Sequence, residues 1–246
     1  MASETPVRPR QRASTTPWPP HDSEESIVGT DLHQTTITNV RWAMNEAARR
    51  VAASQGAQGT IPATLPWQAL SQIILLGCMR ADGSLYRTLP DVFVYPRRVD
   101  PRTSSLTVQV DGPPRLIVEV LSEATYEADL EQGKGFSYAR AGVREYLAID
   151  PTSAYLPEGI RAWRLIDGVY RPWDAADDGR WHSAEIGVSI GLEGVLATVY
   201  TLEGRRLLRE GEVEEALDQR DATIAQLAAE IVALRRQLEE QQQGDA

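Results

Sequence analysis

EVLSEATYEADLEQGKGFSYARAGVREYLAID, residues 119–150, decides how the rest of the chain is organised. The apolar run that enters it, Leu116 to Leu121 (LIVEVL), reads as a central strand, and Arg144 to Ile149 (REYLAI) reads as another. Between them Ala128 to Ala141 has helical character, with Gly142 in the C-cap position. A helix between two strands predicts a crossover connection. The stretch also contains Lys134, the one lysine beside 24 arginines. Arginine is a wide planar fork, whereas lysine is a compact point charge that can approach a metal-bound water or a scissile phosphate. One survivor is also what chance allows, so its meaning depends on its surroundings.

Hairpin signals flank the crossover. Upstream, Thr30 or Asp31 can cap a helix, and Ile37, Val40, Met44, Ala47 and Val51 recur at helical spacing, which predicts an amphipathic helix over residues 32–53. Ser71 to Met79 reads as a buried strand, Ser84 to Thr88 as its return, and Pro90 to Tyr95 as a strand opened by a proline. Ser105 to Val110 is a further strand, and Asp111-Gly112-Pro113-Pro114 a turn. Downstream, strands are expected at Ile160 to Ile166, Gly168 to Trp173 and Arg180 to Ile186. The fold class is therefore α/β, a mixed β-sheet flanked by helices.

The 246 residues, 42% hydrophobic, suffice for one sizeable core, placed in a domain over residues 27–206. Residues 1–26 hold five prolines and no apolar periodicity, which predicts a disordered arm. No apolar targeting segment follows Met1, and the longest apolar run, Ile73 to Met79, is broken by Gly77, so a soluble cytoplasmic protein with no membrane partner is expected. Cys78 is the only cysteine, which excludes an intrachain disulfide and a thiolate metal cluster. The formal charge is −10, but residues 27–206 carry 21 acidic against 18 basic groups. A nearly neutral domain leaves a phosphodiester substrate open and argues against a broad basic footprint for nucleic acid.

Residues 207–246 differ in kind. Leu217, Ile224, Ile231 and Leu238 fall seven apart, as do Val213, Arg220, Leu227, Leu234 and Gln241 in the alternate register. This is an a/d seam whose Ile and Leu choices favour two parallel strands, with Glu230 at g able to pair with Arg235 at the following e. A coiled-coil homodimer is expected; a helix docked on its own domain is the alternative.

Glu119 is an acid inside an otherwise apolar strand, which costs several kcal/mol unless something pairs with it. Asp91 poses the same question at the head of its strand. With Lys134 they make a compact set: two acids to hold a divalent metal and one ammonium to help activate water. His33 and Glu46 lie on the first helix, where either could reach the site or serve as a solvated or capping residue. Gly133 and Gly135 flank the lysine, either to let metal or phosphate approach bare backbone or because the helix begins near Phe136. A P-loop is excluded, since no Ser or Thr follows Lys134, and no nucleophile motif accompanies His21, His33 or His182.

Pro90-Asp91, then Glu119 in an apolar strand, then a lysine resemble the PD-(D/E)XK nuclease superfamily. The longer string EVLSEAT...D...K...YARAGVREYLAIDP closely resembles the Uma-two family of prokaryotic restriction-endonuclease-like proteins, over residues 30–200, with 119–151 its specific part. Leu121 stands where the superfamily places its lysine. The family supplies that lysine from the next helix, four residues before a tyrosine, a spacing that Lys134 and Tyr138 match. Asp129 precedes Lys134 by five residues where the family has four, so either it stands outside the site or the chain bulges at Gly133. The resemblance implies a restriction-endonuclease-like fold and hydrolysis of DNA with Mg²⁺ or Mn²⁺. Asp91, Glu119 and the carbonyl of Val120 would hold the metal, Lys134 would orient water, and Tyr138 would bond the lysine or the phosphate. A nuclease-like fold that binds without cutting, as a dimeric interaction module, is the rival; a hydrolase of another phosphate ester shares the same residues.

Overall fold

The structure, a computed structural model, describes residues 31–55 and 65–244; the expected arm over residues 1–26 lies outside them. The described residues begin with α1 (Asp31–Gln55), β1 (Gln68–Leu70), β2 (Ile74–Met79), β3 (Leu85–Thr88), β4 (Val92–Tyr95) and β5 (Ser105–Thr107). There follow α2 (Val108–Asp111), β6 (Leu116–Val120), α3 (Tyr126–Asp129), a kinked π-type turn (Glu131–Gly135), α4 (Phe136–Ala141) and β7 (Glu145–Ile149). The rest comprises β8 (Ile160–Ile166), β9 (Val169–Pro172), β10 (Trp181–Ser183), β11 (Val188–Glu193), β12 (Leu196–Thr201), a 3₁₀ turn (Glu210–Glu212) and α5 (Val213–Gly244).

The central sheet runs β1-β4-β6-β7-β8-β9. Only β6 and β7 are parallel in it, joined by the crossover through α3 and α4, while its other pairs are antiparallel. Side chains alternate across a strand, so the sheet builds two cores. Val92, Val94, Leu116, Val118 and Val120 face α1 and the sheet β10-β11-β12, where Val40, Met44, Ala47, Val188 and Val199 meet them. Phe93, Tyr95 and Ile117 face the other way, toward Tyr138 on α4, Tyr146, and Leu75 and Cys78 of the sheet β3-β2-β5. Cys78 is fully buried, and burial pushes its thiol up to about 12.

Several expected elements differ in extent. The strand expected from Ser71 starts only at Ile74, because Gln72 takes a left-handed conformation (φ 58°). The strand expected to Val110 stops at Thr107, where the Asp111 carboxylate turns back to accept the Thr107 N–H (2.9 Å) and the chain coils into α2. The helix expected as one piece over 128–141 is two short helices split at Gly133, whose backbone is non-helical. The hairpin β11–β12 was not expected at all.

Among the described residues no helix is long and apolar enough to cross a membrane. At the root of α5, Arg206 and Arg209 each pair with both Glu193 at the end of β11 and Glu212 in the 3₁₀ turn. Beyond this clamp the seam residues Leu217, Ile224, Leu227, Ile231 and Leu234 are all exposed, so the alternative of a docked helix fails for them. The seam positions Leu238 and Gln241 lie outside the described side chains.

Candidate active site

Strands β4 and β6 run antiparallel with Val92 opposite Val118 and Phe93 opposite Ile117. One step further along that register sets Asp91 opposite Glu119, on the face that looks toward α4. Two acids in cross-strand opposition are destabilising unless the surroundings compensate. Each acid here is tied to the other's strand: Asp91 N–H donates to Glu119 Oε2 (3.2 Å) and Val120 N–H donates to Asp91 Oδ2 (2.8 Å). Glu119 is almost wholly buried (1%), whereas Asp91 keeps 21% of its side chain exposed.

Lys134 reaches this pair from the turn after α3. Its Nζ lies 3.6 Å from Glu119 Oε1 and 2.8 Å from Asp129 Oδ1, with 11% of the side chain exposed. The five-residue spacing of Asp129 and Lys134 is absorbed by the π-type turn, so Asp129 joins the cluster. Tyr146 O–H donates to the Asp129 carbonyl and holds that corner in place. The helix begins at Phe136, as the second reading of the flanking glycines has it, and the turn before it requires a glycine at 133 alone. A Cβ on Gly133 would stand 2.0 Å from the carbonyl oxygen of Ala128, and one on Gly135 would meet Leu130 O and the Tyr146 ring at 3.4 Å.

Tyr138, one helical turn beyond Lys134, donates to Glu119 Oε1 (2.5 Å), and its hydroxyl is 3.1 Å from Thr88 Oγ1. It has no exposed surface, so the structure gives it a bond to an acid where a bond to the lysine or a phosphate was expected. Thr88 was not singled out in the sequence, since a threonine closing a strand is ordinary there. Glu46 stays outside the site, pairing with Arg49 (3.0 Å) and Arg50 (2.8 Å) along α1. His33 enters it: Nε2 is 2.9 Å from the Val120 carbonyl oxygen and 3.5 Å from Asp91 Oδ2.

Burial raises the Glu119 pKa well above the ordinary carboxylate range; Lys134 opposes that shift, and Asp129 and Asp91 add to it. Asp129 is raised for the same reason, again with Lys134 opposing. For His33, burial works against protonation, but the hydrogen bond and charge of Asp91 outweigh it and raise the pKa. The site thus concentrates negative charge where it is costly, a condition a cation relieves.

Among the described residues no three His, Cys, Asp or Glu side chains form a ready cage for a metal ion. The donor chemistry nonetheless fits Mg²⁺, which keeps several waters and takes one or two carboxylates from the protein. Asp91 and Glu119 supply hard oxygens, and the Val120 carbonyl, which accepts from His33, retains a second lone pair.

The profile of the Uma2 family, described as "Putative restriction endonuclease", matches residues 76–200. No curated protein and no solved structure matches the chain. The matched span takes in Asp91, Glu119, Asp129, Lys134 and Tyr138, and stops short of α1 and His33. It covers half of the chain and carries the crossover and the acid pair, so the chain belongs to the Uma2 family.

Proposed function

We propose that the protein is a metal-dependent endonuclease that hydrolyses DNA phosphodiester bonds. The observation that carries this reading is the opposition of Asp91 and Glu119 with the chain's only lysine 3.6 Å from Glu119. Asp91, Glu119 and the Val120 carbonyl are the groups that would hold Mg²⁺ or Mn²⁺. Such a cation, when bound, lowers the pKa of a coordinated water and neutralises charge developing on the phosphate. Lys134 orients the attacking water from the Glu119 side, and Asp129 keeps its ammonium there. Tyr138 holds Glu119 in one rotamer through its hydroxyl. The domain over residues 27–206 carries this chemistry, and α5 pairs with α5 of a second copy through its exposed seam.

Plasmid DNA incubated with Mg²⁺ or Mn²⁺ tests the reading: the wild-type protein cleaves, and Asp91→Ala and Glu119→Ala do not. Equal products from all three would sink it.

The second reading, a dimeric module that does not cut, draws on the Val120 carbonyl, already engaged by His33. Calorimetry with Mn²⁺ separates the two. Binding by the wild type that Glu119→Ala loses supports the nuclease, and a dimer that takes no Mn²⁺ is the module.

A further inference from the structure

The chemistry above leaves one side chain of the site without a task. His33 comes from α1, 87 positions before Val120, and its side chain is only 13% exposed. A carbonyl oxygen can only accept, so Nε2 must carry the proton that it gives to Val120. The same nitrogen stands 3.5 Å from Asp91 Oδ2, the oxygen that also accepts the Val120 N–H. One imidazole therefore touches two of the three groups proposed to hold the cation, the Val120 carbonyl and the Asp91 carboxylate. It fixes the direction of the one and borders the other, from an element outside the matched residues 76–200. Outer partners of metal ligands act in this way, by fixing ligand orientation before the metal arrives.

We infer that His33 is a positioning residue of the active site, which sets the Val120 carbonyl and Asp91 for cation binding and so makes α1 an integral part of the catalytic unit. The inference rests on the nuclease reading. Because its action is to aim a donor hydrogen bond, a side-chain amide can stand in for the imidazole.

The test compares full-length wild type, His33→Ala and His33→Gln for Mn²⁺ affinity by calorimetry, for kcat and KM on plasmid DNA, and for Tm. His33→Ala should weaken Mn²⁺ binding and lower kcat, each by about 10-fold or more, with KM for DNA unchanged. His33→Gln should recover most of both, and a matching Tm for the two variants shows that the loss is not one of folding. Wild-type Mn²⁺ affinity and kcat in His33→Ala would overturn the His33 role alone, as would a His33→Gln that folds like wild type yet recovers neither. A wild-type protein that binds no Mn²⁺ would overturn the nuclease reading and this role with it.

Discussion

Tyr138 shows how the acids of this site are held. Its hydroxyl links Glu119 to Thr88 inside a region closed to solvent. Tyr138→Phe removes a donor from a buried carboxylate and leaves Glu119 Oε1 and Thr88 Oγ1 each one partner short, while Oε2 keeps the Asp91 N–H. The expected cost is about 1–3 kcal/mol, seen as a lower urea midpoint with unchanged m-value, with cleavage reduced about 10-fold or more. A variant as stable and active as wild type would show that Glu119 needs no such support. Asp91, Glu119 and Lys134 were legible in the sequence because each is a charge where the pattern calls for something else. Thr88 and the task of His33 were not, because their partners lie 50 and 87 positions away and only the fold brings them together.

Two elements carry predictions of their own. The π-type turn needs Gly133, where a Cβ would collide with the backbone of Ala128. Gly133→Ala must shift that backbone, with an expected loss of about 1–3 kcal/mol in urea unfolding and of the Lys134–Asp129 pair, which the proposed cleavage uses. The second element is the clamp under α5. Hydrogen bonds from Arg206 pull the Glu212 carboxyl down to about 2 from its ordinary 4.5, with Arg209 adding to the effect. The unfolded chain therefore binds this proton first as pH falls, so the clamp stabilises fully above about 4.5 and the contribution is lost between there and about 2. Glu212→Gln should cost about 1 kcal/mol at pH 7, since the pair is partly exposed and screened, and the gap from wild type should close as pH falls through that window. A gap that persists at pH 2 would show that the clamp is not electrostatic. The crossover and its flanking strands were legible because periodicity and turn residues agree there. The hairpin β11–β12 was hidden because Gly191 sits inside its first strand and breaks the apolar run that marks a strand. The wide turn before α4 was legible only as a mismatch of one residue between Asp129 and Lys134.

For the molecule as a whole, the nearly neutral domain and the exposed seam of α5 point the same way. A monomer would leave Ile224, Leu227, Ile231 and Leu234 in water on a helix that its clamp holds by the root. Sedimentation equilibrium should give twice the 27.2 kDa chain mass for the full-length protein, and the single-chain mass for an Ile224→Glu, Ile231→Glu double variant. A wild-type monomer would refute the pairing. In the proposed function the one lysine of the chain works beside a pair of acids in phosphodiester hydrolysis. The most direct measurement of that role is the conversion of supercoiled plasmid to nicked and linear forms in Mg²⁺ by wild type and by Lys134→Arg, which keeps the charge but loses the compact ammonium. Wild type should convert the plasmid, chelation should stop it, and the variant should show little or no conversion; equal conversion by the two would deny Lys134 its role.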